Sequence, residues 1–161
     1  MSKQLWSDFQ VRPVERVQAD EPDVARAIQR HFELMRSLSP PESCHVLPAD
    51  ALAAADIQLF ALRQKGQAVA IGAIKLTGRS AELKSMHTLE ESRGQGLGRD
   101  MLCGLMQEAS RLGVKRLELE TGSGPEHAAA RGLYRSEGFS ECPPFGSYTN
   151  DPLSLFLARD L

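Results

Sequence analysis

Six residues, Arg93-Gly94-Gln95-Gly96-Leu97-Gly98, with Arg99 behind them, carry the most specific chemical signal in the 161-residue chain. Three glycines allow a ligand close to the backbone, and the two arginines supply charge. An apolar periodicity that begins at Leu97 puts these residues at the opening of a helix. Unpaired N–H groups and the positive end of the helix dipole form an anion site there, so a phosphate or pyrophosphate fits. The plainer reading of the same stretch is a tight turn. A dinucleotide fingerprint would need its third glycine at position 99, which is Arg99, and several strand-helix units after it, where only one follows. No Gly-Lys-Ser/Thr sequence is present for a nucleotide phosphate loop.

Other reactive side chains are scattered. The histidines His31, His45, His87 and His127 and the cysteines Cys44, Cys103 and Cys142 show no metal-ligand spacing, so no metal is expected. The thiols read as buried or incidental. Nineteen Lys and Arg against 21 Asp and Glu give a net charge of -2, which speaks against nucleic acid or an anionic membrane surface as partner. No apolar run approaches the roughly 20 residues that span a bilayer. The N-terminal MSKQLWSDFQ lacks the apolar core of a signal peptide, so a cytoplasmic protein is expected.

The elements that must position the glycine loop follow from periodicity. Residues 8 to 14, DFQVRPV, alternate as a first strand, and Pro22 opens an amphipathic helix to Leu38, stopped by Ser39-Pro40-Pro41. Residues 48 to 55 read as a second helix. IQLFALRQ and QAVAIGAIKL form a hairpin around Lys65-Gly66. Residues 81 to 89 alternate again, with Leu83, Ser85, His87 and Leu89 on one face and Glu82, Lys84, Met86 and Thr88 on the other. A helix from Leu97 to Gly113, a buried strand over 114 to 120, a helix from Pro125 to Glu137 and a last strand over 153 to 158 complete one domain spanning 1–161.

At the loop and beyond it the sequence resembles the GNAT superfamily of N-acetyltransferases, whose coenzyme A loop reads Gln/Arg-x-x-Gly-x-Gly/Ala. The likeness runs from about Ala81 to Phe139 and includes AARGLYRSEGF, similar to the family's A-x-x-L-Y-x-x-x-G-F. It implies an α/β fold of mixed type: a splayed central sheet of six to seven strands flanked by about four helices. It further implies acetyl-CoA as co-substrate, with pyrophosphate on the backbone of Gly94 to Arg99. The pantetheine arm would lie along Met86, His87 and Thr88, where an N–H near Thr88 polarises the thioester carbonyl. Asn is frequent at the end of the second splayed strand in the family; this chain has Thr121-Gly122, and Glu90 stands where Pro is common.

The resemblance also suggests roles for side chains. An amine acceptor with a pKa of about 10.4 must lose a proton before it attacks. Glu82 matches glutamates that serve as base in some members, with His45 and His87 as rivals better matched to neutral pH. A pair with Lys84 would make Glu82 a poorer base. Tyr134 matches the family's tyrosine, which protonates the leaving sulfur. Direct attack in a ternary complex is preferred to an acetyl-cysteine route.

SLSPPESCH and PPFGSYTNDP, similar to segments of small bacterial-type members, would build the acceptor pocket with Arg36, Ser43, His45, Lys84, Tyr148 and Asn150. Lys84 and Arg36 together would favour a small amine that also carries a carboxylate, such as an amino acid. The alternatives are a catalytically silent coenzyme A-binding sensor and, third, a dinucleotide-binding oxidoreductase. A homodimer is compatible with the family.

Overall fold

The computed structural model describes residues 11–161. Their strands form one seven-stranded sheet in the order β1-β2-β3-β4-β5-β7-β6, made of Glu15–Arg16 (β1), Ile57–Gln64 (β2), Gln67–Thr77 (β3), Ser80–Thr88 (β4), Arg116–Gly122 (β5), Ser140–Glu141 (β6) and Ser154–Asp160 (β7). Four helices flank it: Pro22–Leu38 (α1), Ala49–Leu52 (α2), Leu97–Arg111 (α3) and Ala128–Ser136 (α4). This is the mixed α/β architecture expected from the sequence. No helix among the described residues is long and apolar enough to cross a membrane.

Period-2 alternation divides the core between the two faces of the sheet. Leu59, Ala61, Ile71 and Ala73 join Val24, Ala27 and Ile28 of α1 on one face. Phe60, Leu62, Ala70 and Ile74 join Leu102, Leu105 and Met106 of α3 on the other. Gly72 lets α3 approach β3, since a Cβ there would stand 2.7 Å from Leu105 Cδ1. At the start of α1, Asp23 accepts hydrogen bonds from Arg63 Nε and from the Ala68 N–H, both at 2.8 Å, and so ties the helix to the β2-β3 hairpin.

All neighbouring strands are antiparallel except β4 and β5. These run parallel and pair only from Ser80 to Glu82 against Arg116 to Glu118. β4 continues to Thr88 and β5 to Gly122 without pairing, so the sheet parts there.

Several elements differ from the sequence expectation. The first part of the predicted strand over 8 to 14 lies outside the described residues. Its remainder is not in the sheet, because Val11 and Val14 pack against the α3-side core and pairing begins only at Glu15 opposite Ala61. The helix expected over 48 to 55 contracts to α2, and the last helix begins as a tight turn, Pro125–His127. The largest correction is in β4. Ser85 has φ +54°, and the register moves from Ala73↔Lys84 to Ile71↔His87, so two residues oppose the single Gly72. This bulge reverses the alternation. Leu83 and Met86 therefore share the α3 face, and His87 and Leu89 turn toward α1.

Candidate active site

Where β4 and β5 part, the structure opens into a cleft of about 620 Å³, walled by α1, the segment 43–46, β4, the glycine loop, the end of β5 and α4. At its loop end Gly94 and Gly96 have φ +82° and +79°, values that favour glycine. A Cβ on either would meet nothing within 4 Å, so both face open space. Arg93 lines this end, and its Nε donates to the Thr88 carbonyl at 3.3 Å. Leu97 and Gly98 line it as well, although the Leu97 side chain belongs to the core. Gln95 and Arg99 do not line the cleft. The Gln95 carbonyl accepts from Arg12 at 3.0 Å, and Arg99 pairs with Glu137 at 2.8 Å, both on the outer side of the loop.

Tyr134 closes the middle of the cleft from α4. It is 8 % exposed, its ring meets Phe139 edge-on, and its hydroxyl lies 3.7 Å from Met86 Sδ. Burial, with a smaller push from the charge of Glu120, raises its pKa to about 12, so the phenol keeps its proton. Across from it, β4 beyond Glu82 presents an unpaired backbone edge that includes Met86, His87 and Thr88.

The other end of the cleft is polar: Ser43, His45, Glu82 and Lys84 line it, whereas Tyr148 does not line it and reaches it only through Glu82 and Lys84. Tyr148 donates its hydroxyl hydrogen to Glu82 Oε2 at 2.5 Å and accepts one from Lys84 Nζ at 2.9 Å. Lys84 Nζ also lies 3.3 Å from Glu82 Oε2 and 3.4 Å from the His45 carbonyl. Burial, then the bond to Glu82, pushes the Tyr148 phenol far above its ordinary value. Ser43 donates to Asp151 at 2.6 Å, which joins the two proline-rich segments over this end. The His45 ring packs edge-on against Tyr148.

Some residues named from the sequence lie elsewhere. Arg36 is exposed, with its guanidinium 5.5 Å from the centre of the Phe32 ring, and it does not line the cleft. Asn150 is exposed as well. His87 does line the cleft, but its ring meets that of His31 with centres 4.9 Å apart and planes tilted by 51°, and burial lowers their pKa values to about 4 and about 3, leaving both neutral. A group held near 4 is poorly matched to accept an ammonium proton at neutral pH. Cys103 and Cys142 have thiols raised by burial, which gives no support to a thiolate route.

The sequence reading missed Glu120. It sits on β5 just past the point of parting and lines the cleft, with its carboxyl raised by burial. In LELE it looked like one more outward residue of an alternating strand. The available signal was its place four residues before the Gly124 break, at the end of a strand next to the loop-bearing one.

The model of the acetyltransferase (GNAT) domain family matches residues 55–141, which contain β4, the glycine loop, α3, β5 and α4. The chain belongs to the GNAT family. Among curated relatives, YsnE, an uncharacterized N-acetyltransferase of Bacillus subtilis, is 36 % identical over 139 residues, covering 86 % of this chain and 92 % of YsnE. A protein named IAA acetyltransferase from Azospirillum brasilense is 37 % identical over 140 residues, covering 86 % and 90 % of the two chains. A solved Klebsiella pneumoniae protein, described as a candidate acyl-CoA N-acyltransferase, superposes with a TM-score of 0.75 at 27 % identity over 92 % of this chain and 96 % of its own. This GNAT chain is thus an acyltransferase with the GNAT fold, and its cleft opens where β4 and β5 part.

Proposed function

We propose that this GNAT chain moves an acetyl group from acetyl-CoA to a primary amine of a small molecule, by direct attack in a ternary complex. One observation carries the reading: a single cleft holds the backbone of a glycine loop at one end, a buried protonated phenol in the middle and carboxylates at the other.

The residues present fit coenzyme A. The open space in front of Gly94 and Gly96 suits a pyrophosphate on the N–H groups that open α3. The unpaired edge of β4 supplies hydrogen-bonding groups to the pantetheine amides, as an added strand would find them. When bound, acetyl-CoA supplies an activated acyl carbon on a sulfur leaving group. An N–H of β4 near Thr88 stabilises charge on the thioester oxygen, and Tyr134 donates its proton to the sulfur.

The acceptor end favours a cation. Glu82 and Glu120 face it, whereas Lys84 is held by Glu82 and Tyr148 and Arg36 lies outside. Leu34, Met35 and Leu38 of α1 add an apolar wall. An amine on an apolar body suits this arrangement better than an amino acid, whose carboxylate would meet neither cation free.

The test is release of coenzyme A thiol in a panel of primary amines with and without a carboxylate, with IAA run beside the amines because a similar protein carries that name. Saturable thiol release with apolar amines supports the proposal. Saturable acetyl-CoA binding with no release for any acceptor marks a binding module instead. Turnover confined to amino acids overturns the acceptor class alone.

A further inference from the structure

Resting on the acetyltransferase reading, we propose that Glu120, and not Glu82, is the carboxylate that meets the acceptor's ammonium group and takes its proton.

Placement is the first ground. The last registered pair of β4 with β5 is Glu82↔Glu118, and strand periodicity puts Glu120 on the same face one step beyond it. It is thus the first side chain of β5 on that face past the parting, and it lines the cleft. Its backbone is held by β7, where Glu120 registers against Phe156. Leu119 and Thr121, on either side, are buried on the opposite face.

The second ground is how each carboxylate is engaged. Ser154 donates to Glu120 Oε1 at 2.9 Å and fixes the plane of the group. No donor among the described residues reaches Oε2, which is left for a substrate. Glu82 differs. Its Oε2 already receives the Tyr148 hydrogen at 2.5 Å and lies 3.3 Å from the Lys84 ammonium. Glu82 is thus committed to an ion pair whose two side chains are largely buried, and its part is to position Lys84 and Tyr148.

The charged and titratable groups around Glu120 point the same way. Burial is the main influence and pushes its carboxyl up; the Ser154 bond, His45 and Lys84 pull it down, and Glu82 adds to the rise. From α4 and the segment before β7, the phenols of Tyr134 and Tyr148 face it, and both feel its charge. A carboxyl raised in this way accepts a proton nearer neutral pH than a solvated one.

The steps then balance. One ammonium proton passes to Glu120 and on to solvent. The freed nitrogen pair forms the C–N bond as the thioester C–S bond breaks, and the sulfur leaves with the Tyr134 proton. The second proton shed by the nitrogen restores Tyr134.

The experiment is a pH profile of kcat/KM and kcat for the whole chain and its Glu120→Gln, Glu82→Gln and Ser154→Ala variants, with the acetyl-CoA Kd measured on each to verify a folded cleft. Glu120→Gln is expected to lower kcat by about 10²-fold or more and to abolish the acidic limb, with the Kd within about twofold. Ser154→Ala should move that limb to higher pH, since it removes a bond that favours the charged carboxylate, an effect that a merely structural serine would not produce. Glu82→Gln should lose activity but keep the limb. A Glu120→Gln variant within about fivefold of wild type, or one that keeps its limb while Glu82→Gln loses it, overturns the assignment. Absence of wild-type turnover with every amine overturns the acetyltransferase reading along with it.

Discussion

The Tyr148 hydroxyl and the Glu82 carboxylate meet at 2.5 Å although 66 positions separate them in the chain. The contact fastens the late PPFGSY segment to the strand that carries the acceptor end of the cleft. Because the same hydroxyl accepts from Lys84, it links both members of an ion pair whose side chains are each only 12 % exposed. Tyr148→Phe leaves that pair without its neutral partner. A hydrogen bond to a charged group contributes roughly 1.5–3 kcal/mol, so the variant should lose on the order of 1–3 kcal/mol in urea unfolding at pH 7. An unchanged midpoint would mean that the contact contributes nothing net.

Tyr134 answers a different question, because its hydroxyl has one weak contact, to Met86 Sδ at 3.7 Å. Tyr134→Phe therefore removes a proton donor and little else. Stability and acetyl-CoA Kd should stay near wild type while kcat falls by about 10²-fold, in the range of general-acid contributions. Equal turnover by the variant would remove Tyr134 from the chemistry.

The contrast between these two tyrosines shows what was legible in the sequence. Tyr134 lies in a helix whose start and stop are marked by Pro125 and Gly138, beside a loop with its own motif, so its place could be read locally. The β2-β3 hairpin and α3 were legible for the same reason, since period and turn residues are neighbours in the chain. The partnership of Tyr148 with Glu82 and Lys84 depends on tertiary folding of a proline-rich loop and leaves no periodic trace. The bulge at Ser85 is equally silent: a single residue at φ +54° exchanged the faces of Met86 and His87, and a serine does not announce that conformation. Glu120 was invisible because alternation assigns a face and cannot say that the neighbouring strand has departed. Arg36 failed for the opposite reason, since its position near the end of α1 suggested the pocket while its side chain folds back over Phe32.

Gly96 offers a test of the loop that is independent of acid and base chemistry. Its φ of +79° is strained for any β-branched residue, and a Cβ would project into the open space where backbone N–H groups must reach an anion. Gly96→Val should weaken acetyl-CoA binding by at least about 100-fold, with a loss of stability on the order of 1 kcal/mol from the backbone strain. Calorimetric titration with acetyl-CoA, and with NADH beside it, checks the first. Undiminished binding would show that the ligand does not use this turn, and preference for NADH would revive a dinucleotide site.

The paired histidines make stability depend on pH in a defined window. Burial holds His31 near 3 and His87 near 4, below the ordinary 6.5, and the closeness of His87 lowers His31 further. Below pH 6.5 the unfolded chain binds a proton at each ring while the native one does not. Stability is therefore full above 6.5 and declines as the pH falls toward 4 and then 3. At about 1.4 kcal/mol per unit, the two rings together should remove on the order of 2 kcal/mol between pH 7 and pH 5.5. Asp23, held at about 2 mainly by Arg63, enters only as the pH falls through the ordinary carboxylate range; His127, also lowered chiefly by burial, adds in the same window as the pair, and Glu120 works in the opposite direction. His31→Leu isolates the effect: no described group bonds His31 Nδ1, so the substitution forfeits no hydrogen bond there. Urea midpoints at pH 7 and pH 5.5 should differ by about half as much in the variant as in the wild type. Equal differences would mean that His31 titrates alike in the folded and unfolded chains, and the neutral pair that lines the cleft would have to be abandoned.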